Sequence, residues 1–209
     1  LGGGSGLEGQ WLCRSQALSV GAMTSFFLCE RGNFCCYSPF CGRMKGMKSY
    51  NSLNDYYRKL FGEKTFKVPI DAGFDCPNRD GTVAHGGCTF CTVSGSGDAI
   101  VAPDAPIREQ FYKEIDFMHR KWPDVKKYLV YFQNFTNTHE KVEVIRERYE
   151  QAINEPGVVG INIGTRPDCL PDETIEYLAE LSERMHVTVE LGLQTTFEAT
   201  SDLINRAHS

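Results

Sequence analysis

No run of apolar residues in this 209-residue chain approaches the ~18 that a membrane-spanning helix needs. The mildly apolar "ALSVGAMTSFFLC" (17–29) is short and broken by Ser and Thr, so it reads as neither an anchor nor a secretory signal. An excess of positive charge is also missing. Lys plus Arg is 22 against 27 Asp plus Glu, a net charge of -5. That excludes a chain-wide basic coat for nucleic acid, though not a local basic patch. A disulfide framework is lacking too, because the nine cysteines are odd in number and unevenly spread. The expected setting is a reducing compartment, the cytoplasm, where thiolates serve as ligands. The last absence is the most informative. The stretch "CPNRDGTVAHGGCTFC" (76–91) places three cysteines in one loop and offers no fourth.

What is present divides at about residue 44. "LGGGSGLEGQ" (1–10) is linker-like, and residues 11–43 show neither a helical nor a strand period. Leu1 stands where an initiator Met would, and Met44 and Met47 precede the first well-patterned segment. Residues 1–43 are therefore expected to be an upstream extension outside the fold, a misplaced start being one origin for it. Cys29, Cys35, Cys36 and Cys41 could form a second metal site, but their spacing matches no zinc pattern well.

From residue 44 onward strand and helix patterns alternate. "FKVPI" (66–70) is a short strand weakened by Pro69, which lacks a ladder donor. Ile107, Phe111, Ile115, Met118 and Trp122 form one helical stripe. "YLVYFQ" (128–133) and "VVGINIGT" (158–165) are continuous strands of the kind found in parallel sheets. A helix over about 141–154 lies between them, and Pro171 opens another, where its missing N–H costs nothing. "VTVELGLQ" (187–194) is a fourth strand, followed by a helix over about 197–206. Repeated β-loop-α units predict a parallel α/β sheet or barrel. The cysteine loop, "QNFTNTH", "GTRPD" and "LGLQTT" would gather at the carboxyl ends of its strands, where such folds build their sites.

The spacing C-x11-C-x2-C allows two chemistries. Structural zinc wants four closed ligands, for which His85 could join Cys76, Cys88 and Cys91. A cubane iron–sulfur cluster usually takes four thiolates. With three, one iron stays open to a small molecule. Gly81, Gly86 and Gly87 would let the loop wrap a bulky cluster. Spacing leaves both open, with the cluster ahead.

The stretches "FGEKTFKV" (61–68), "CPNRDGTVAHGGCTFC", "YFQNFTNT" (131–138), "IGTRPDCL" (163–170), "ELGLQTT" (190–196) and "LINRAH" (203–208) together resemble the radical S-adenosylmethionine (SAM) superfamily. The likeness is to the branch that holds the catalytic subunit of Elongator, and within it to the bacterial YhcC/YtqA-type family. It spans about 48–209. The resemblance implies a partial (β/α)6 barrel, of which this chain would supply about four units, and so a fragment truncated at its C-terminus.

It also implies roles for residues. Cys76, Cys88 and Cys91 match the ligands of a [4Fe-4S] cluster. Phe90 matches an aromatic position near the SAM adenine, and Gln133 a contact to the methionine part. Gln194 and Arg206 match residues that hold SAM, the Arg by pairing with its carboxylate. Arg166 either faces the cofactor or pairs with Asp168 to brace its turn, and these readings stand even. Gly164 replaces the Glu of the Elongator branch's "ETRPD", which puts any role of that carboxylate in doubt. Glu190 is either a polar cofactor contact inside the barrel or a buried, paired structural residue. His85 reads as a loop residue, Cys169 as a buried free thiol, and the lysines of "KWPDVKK" (121–127) as solvated surface.

The implied chemistry is one-electron reductive cleavage of SAM to methionine and a 5′-deoxyadenosyl radical, with a flavodoxin- or ferredoxin-like electron donor as partner. The implied substrate is a tRNA base, the wobble uridine side chain. Two other classes remain: a radical SAM enzyme acting on a small metabolite or peptide, and a non-catalytic zinc- or cluster-bearing nucleic-acid binding module.

Overall fold

The computed structural model describes residues 50–95 and 100–209. The extension, its five cysteines, Met44 and Met47 lie outside the described residues. Four strands run in parallel in sequential order: β1 (Thr65–Ile70), β2 (Lys127–Phe132), β3 (Val158–Thr165) and β4 (His186–Leu191). The crossovers carry α2 (Ile107–His119), α3 (Val142–Ile153) and α4 (Asp172–Ser182). No described helix is long and apolar enough to cross a membrane.

Side chains alternate across a strand, and that alternation splits the sheet into two unlike faces. Val68, Ile70, Val130, Phe132, Ile161 and Ile163 are fully buried, and they pack against Phe111, Ile145, Tyr149 and Leu181 of the helices. The Tyr149 ring stacks on Phe132 at 4.6 Å, and its hydroxyl donates to the Asn137 carbonyl at 2.7 Å. The other face presents Lys67, Tyr131, Asn162 and Glu190. Among the described residues that face is covered by a helix at its amino end alone, by α1 (Leu53–Phe61), whose Tyr57 meets Asn162 and the His186 ring.

Helix α1 was not foreseen from its hydrophobic pattern, yet its ends are written in the sequence. The Ser52 hydroxyl accepts from the Asp55 N–H at 3.1 Å, the N-cap arrangement. Gly62 closes the helix at φ 82°, and its N–H bonds the Arg58 carbonyl; this is the left-handed position that Gly occupies freely. Pro69 is accommodated because β1 is an edge strand.

Two expected boundaries are corrected. The fourth strand ends at Leu191, so Gln194 lies three residues beyond it, at φ 70°. The last described helix, α5 (Glu198–Leu203), stops before Arg206, which is not helical. Asn205 and Ala207 turn left-handed at φ 52° and 58°, which breaks any helical continuation.

Among the described residues β4 pairs only with β3, and Leu191 at its end and Leu193, Phe197 and Leu203 after it are exposed. An open strand edge beside apolar surface invites association. The 209-residue chain alone is therefore expected to self-associate at micromolar concentration, measured by light scattering. A monodisperse monomer would show that this edge is protected.

Candidate functional site

The cysteine loop leaves β1 through Asp71–Asp75 and turns at once. Arg79 and Asp80 N–H groups bond the Cys76 carbonyl at 2.8 and 3.1 Å, and Val83 N–H bonds the Pro77 carbonyl at 2.8 Å. Gly81 is required here: its φ is 92°, and a Cβ would lie 2.4 Å from the His85 ring. His85 thus packs as part of the loop, and a short antiparallel bridge pairs it with Asp80. Asp80 ties the loop down by accepting from Thr82 N–H and from His139, the latter at 2.7 Å. The Thr82 bonds and then His139 lower the Asp80 carboxyl from 3.8 to about 2. A depressed carboxylate contributes fully above its unfolded value and is lost as pH falls through its folded value. This brace therefore persists through the neutral range and fails only as pH falls through about 2.

Cys88 is the buried member of the trio, while Cys76 and Cys91 are partly exposed. The Asn78 Nδ2 donates to Cys88 Sγ at 3.4 Å, and Arg206 Nη1 donates to it at 3.7 Å. Burial raises the Cys91 pKa, and the nearby Cys88 and Cys76 raise it further, while Arg79 and Arg206 pull it down. The three sulfurs are thus within electrostatic reach of one another. Two guanidinium groups act on Cys91, and a third, Arg166, feels Cys76. Among the described residues no group of three His, Cys, Asp or Glu side chains could hold a single metal ion as placed.

The remote segment 203–208 closes the loop from one side. Thr89 N–H bonds the Ile204 carbonyl at 3.0 Å. The Asn205 side chain donates to the His85 and Gly87 carbonyls at 3.2 and 2.8 Å, and its own carbonyl accepts from Asn78 Nδ2 at 2.5 Å. Neither Asn78 nor Asn205 was assigned a role from sequence. Both are short amides that also bond residues more than 110 positions away, which no local pattern reveals.

Arg206 is 5% exposed; Nη2 donates to the Gly192 carbonyl, and Nε has no partner among the described residues. Gly192 lies under both Arg206 and Gln194, since a Cβ there would stand 3.4 Å from Arg206 Nη2 and 3.2 Å from Gln194 Nε2. Gln194 is itself exposed.

Arg166 adopts the bracing geometry. It is 2% exposed and holds Asp168 with two bonds, at 2.9 and 2.7 Å. It also donates to the carbonyls of Arg206 and Ala207, at 3.0 and 3.3 Å. Burial works against its charge, but the Asp168 pair more than offsets this, and its pKa is raised. Phe90 is 52% exposed between the last two cysteines. Gln133 is half-buried where the chain leaves β2. The structure therefore brings Cys76, Cys88, Cys91, Gln194, Arg206 and the braced Arg166 into one neighbourhood.

Glu190 is paired. It accepts from Lys67, Tyr131 and Asn162 on the open face of the sheet. Burial pushes its carboxyl up, but these partners outweigh it and the net shift is downward. Cys169, in the loop after β3, is 9% exposed, its pKa raised to about 11 by burial and then by Asp168, with Cys76 adding to the rise. An ordinary thiol near 8.5 has roughly 300-fold more thiolate at neutral pH than one at 11. In metal-free protein Cys169 is accordingly expected to alkylate at least about 100-fold more slowly than a model thiol, read by mass spectrometry of iodoacetamide-treated peptides. Alkylation at the model rate would contradict its placement.

No family model and no solved structure matches the chain. It is 58% identical over 161 residues to the Bacillus subtilis protein named "Uncharacterized protein YtqA", which covers 77% of this chain and 50% of that one. It is 39% identical over 166 residues to "Protein YhcC" of Escherichia coli, covering 79% and 52%. It is 35% identical over 156 residues to "Uncharacterized protein MJ0486" of Methanocaldococcus jannaschii, covering 73% and 47%. The chain spans about half the length of the curated relatives it matches. None of these names states an activity.

Proposed function

We propose that this chain is the amino-terminal part of a radical SAM enzyme of the YhcC/YtqA type, with a [4Fe-4S] cluster on Cys76, Cys88 and Cys91. The observation that carries the reading is the latched, cation-lined cysteine loop. The three thiols of this one loop lie at the carboxyl end of a parallel sheet, faced by Arg79, Arg166 and Arg206. Such a surround suits an anionic cluster: thiolate ligation makes the group negative, and donors to its sulfurs set its potential. A structural zinc site wants four closed ligands, and the loop supplies three thiols. A cubane can bind each thiolate through a different iron and keep one iron open. Sequential parallel strand order with helices on one face supports the first units of a (β/α)6 barrel.

When bound, the reduced cluster would supply the electron that cleaves SAM to methionine and a 5′-deoxyadenosyl radical. The chain's own residues bind and orient. Arg206 presents an unpaired Nε beside the loop, suited to a carboxylate because guanidinium binds one through a planar fork. Gln194 flanks it across Gly192. Arg166 and Asn205 hold the Arg206 segment against the loop. Phe90 offers an exposed ring for the adenine, and Gln133 lies at the exit of β2. The proposed electron donor is a flavodoxin- or ferredoxin-like protein, the proposed setting the cytoplasm, and the proposed substrate the side chain of a tRNA wobble uridine.

The test uses the full-length gene product, reconstituted without oxygen and reduced, with SAM added. 5′-Deoxyadenosine is the expected product, and its absence from protein loaded with cluster would overturn the reading. Expected tRNA binding weakens steeply between 50 and 200 mM salt, as phosphate contacts do. No binding even at low salt would remove tRNA as substrate.

A further inference from the structure

On the open face of the sheet one polar side chain from each of the four strands meets at a common point. Lys67 comes from β1, Tyr131 from β2, Asn162 from β3 and Glu190 from β4. They converge on one carboxylate. Lys67 Nζ pairs with Glu190 Oε1, Tyr131 OH donates to Oε2 at 3.0 Å, and Asn162 Nδ2 donates to Oε1 at 3.1 Å. The Lys67 ammonium also lies 4.1 Å from the centre of the Tyr131 ring.

Such a group is a poor device for stability alone, since desolvating an ion pair costs about what the pairing returns. It is also not closed. The Lys67 and Glu190 side chains keep 25% and 19% of their surface exposed. Asn162 is 1% exposed, and its Oδ1 is buried with no partner among the described residues. Beyond the group, β3 and the end of β4 continue with glycine. Gly164 stands in register with Glu190, and Gly192 follows directly after the end of β4 at Leu191. Gly192 leads directly to Arg206, which faces Cys88. The polar group and the cysteine loop thus lie along one surface with no side chain from either glycine between them.

The chemistry of the group narrows its ligand. Lys67 only donates and Glu190 only accepts, and their charges cancel. An anion would meet Glu190 and a cation would meet Lys67. A neutral group with an N–H beside a carbonyl satisfies both, and a flat one can lie against Tyr131. We propose that Lys67, Tyr131, Asn162 and Glu190 form a substrate-recognition patch for the imide edge of a uracil-type base, with its N3–H given to Glu190 and an adjoining carbonyl taken by Lys67. This rests on the reading of the chain as a tRNA-modifying enzyme, and assigns the residues that tell the base apart.

The test uses the full-length gene product and two anticodon stem-loop RNAs, one with uridine and one with N3-methyluridine at the first anticodon position. Binding is read by fluorescence anisotropy at low salt. The wild type is expected to prefer uridine by at least about tenfold, the discrimination one well-placed base contact supplies. The double variant Lys67→Met, Glu190→Gln removes both charges together and strands neither. It is expected to bind the two RNAs within about twofold of each other, with melting temperature and iron content unchanged. Equal binding by the wild type, or a preference surviving in a folded double variant, would overturn the patch while leaving the RNA reading intact. If neither RNA binds the wild type, the RNA reading itself fails and takes the patch with it. Should the double variant melt early, Tyr131→Phe, which removes one hydroxyl, must still alter the uridine preference for the patch to stand.

Discussion

Replacing Cys88 by serine in the full-length protein is expected to lower iron from about four atoms per chain to below about one after reconstitution. Cys88 is the sulfur most completely enclosed, buried and reached by both Asn78 and Arg206. A serine hydroxyl fits the same space but is a hard oxygen donor where a cluster wants soft thiolate. The loop itself should survive, because its turn and latch bonds are made by backbone and by Asn78, Asp80 and Asn205. Unchanged melting of the metal-free protein would verify that. Cys169→Ser provides the comparison, since Cys169 lies 81 residues beyond Cys88 in the sequence and in a different loop, and it should leave the iron content as in the wild type. Retained iron in Cys88→Ser, or equal losses in both variants, would remove Cys88 from the proposed ligand set.

Arg206→Leu is expected to weaken SAM binding by roughly 30- to 1000-fold, the cost of removing one partner of an enclosed charge pair. The side chain is 5% exposed and anchored to the Gly192 carbonyl, with Nε left over. Arg206→Lys keeps the charge but loses the planar fork, and about tenfold of affinity should still be lost. Because Arg206 also belongs to the latch, a second variant separates the roles. Asn205→Ala removes the bonds to His85 and Gly87 and places alanine at φ 52°, an unfavourable conformation by about 1 kcal/mol. It should lower the melting temperature while changing SAM affinity only a few-fold. Calorimetric titration with SAM reads the affinities, and an Arg206→Leu variant that binds SAM like the wild type would contradict the assignment.

The physical reasons for what the sequence revealed are uneven. β2 and β3 were legible because a parallel strand covered by helices must be apolar on that face, and Val130, Phe132, Ile161 and Ile163 are. The stripe from Ile107 to Met118 was legible for the same reason on a helix, while Trp122, read as its last member, lies beyond the end of α2 at His119. Helix α1 escaped because it covers only one end of the open face, and Tyr57 is its one fully buried residue. Its caps at Ser52 and Gly62 were the available signal. The ends of β4 and α5 were misplaced because Gln194, Asn205 and Ala207 take left-handed backbone, which residues other than glycine rarely announce. The cysteines could be read from spacing, but the latch could not: Asn78 and Asn205 meet only after the sheet has brought residues 76–91 and 203–208 together. Arg166 was left between two roles, and its geometry is that of the brace, with two bonds to Asp168 and two to the chain that carries Arg206.

The central claim, an iron–sulfur cluster with one iron open to SAM on Cys76, Cys88 and Cys91, is tested most directly by electron paramagnetic resonance. The full-length gene product would be reconstituted and reduced without oxygen, and spectra taken with and without SAM. A reduced cubane signal whose shape shifts when SAM is added is the predicted result. A silent sample that holds stoichiometric zinc and no iron would contradict the account and make the loop a zinc-bearing binding element.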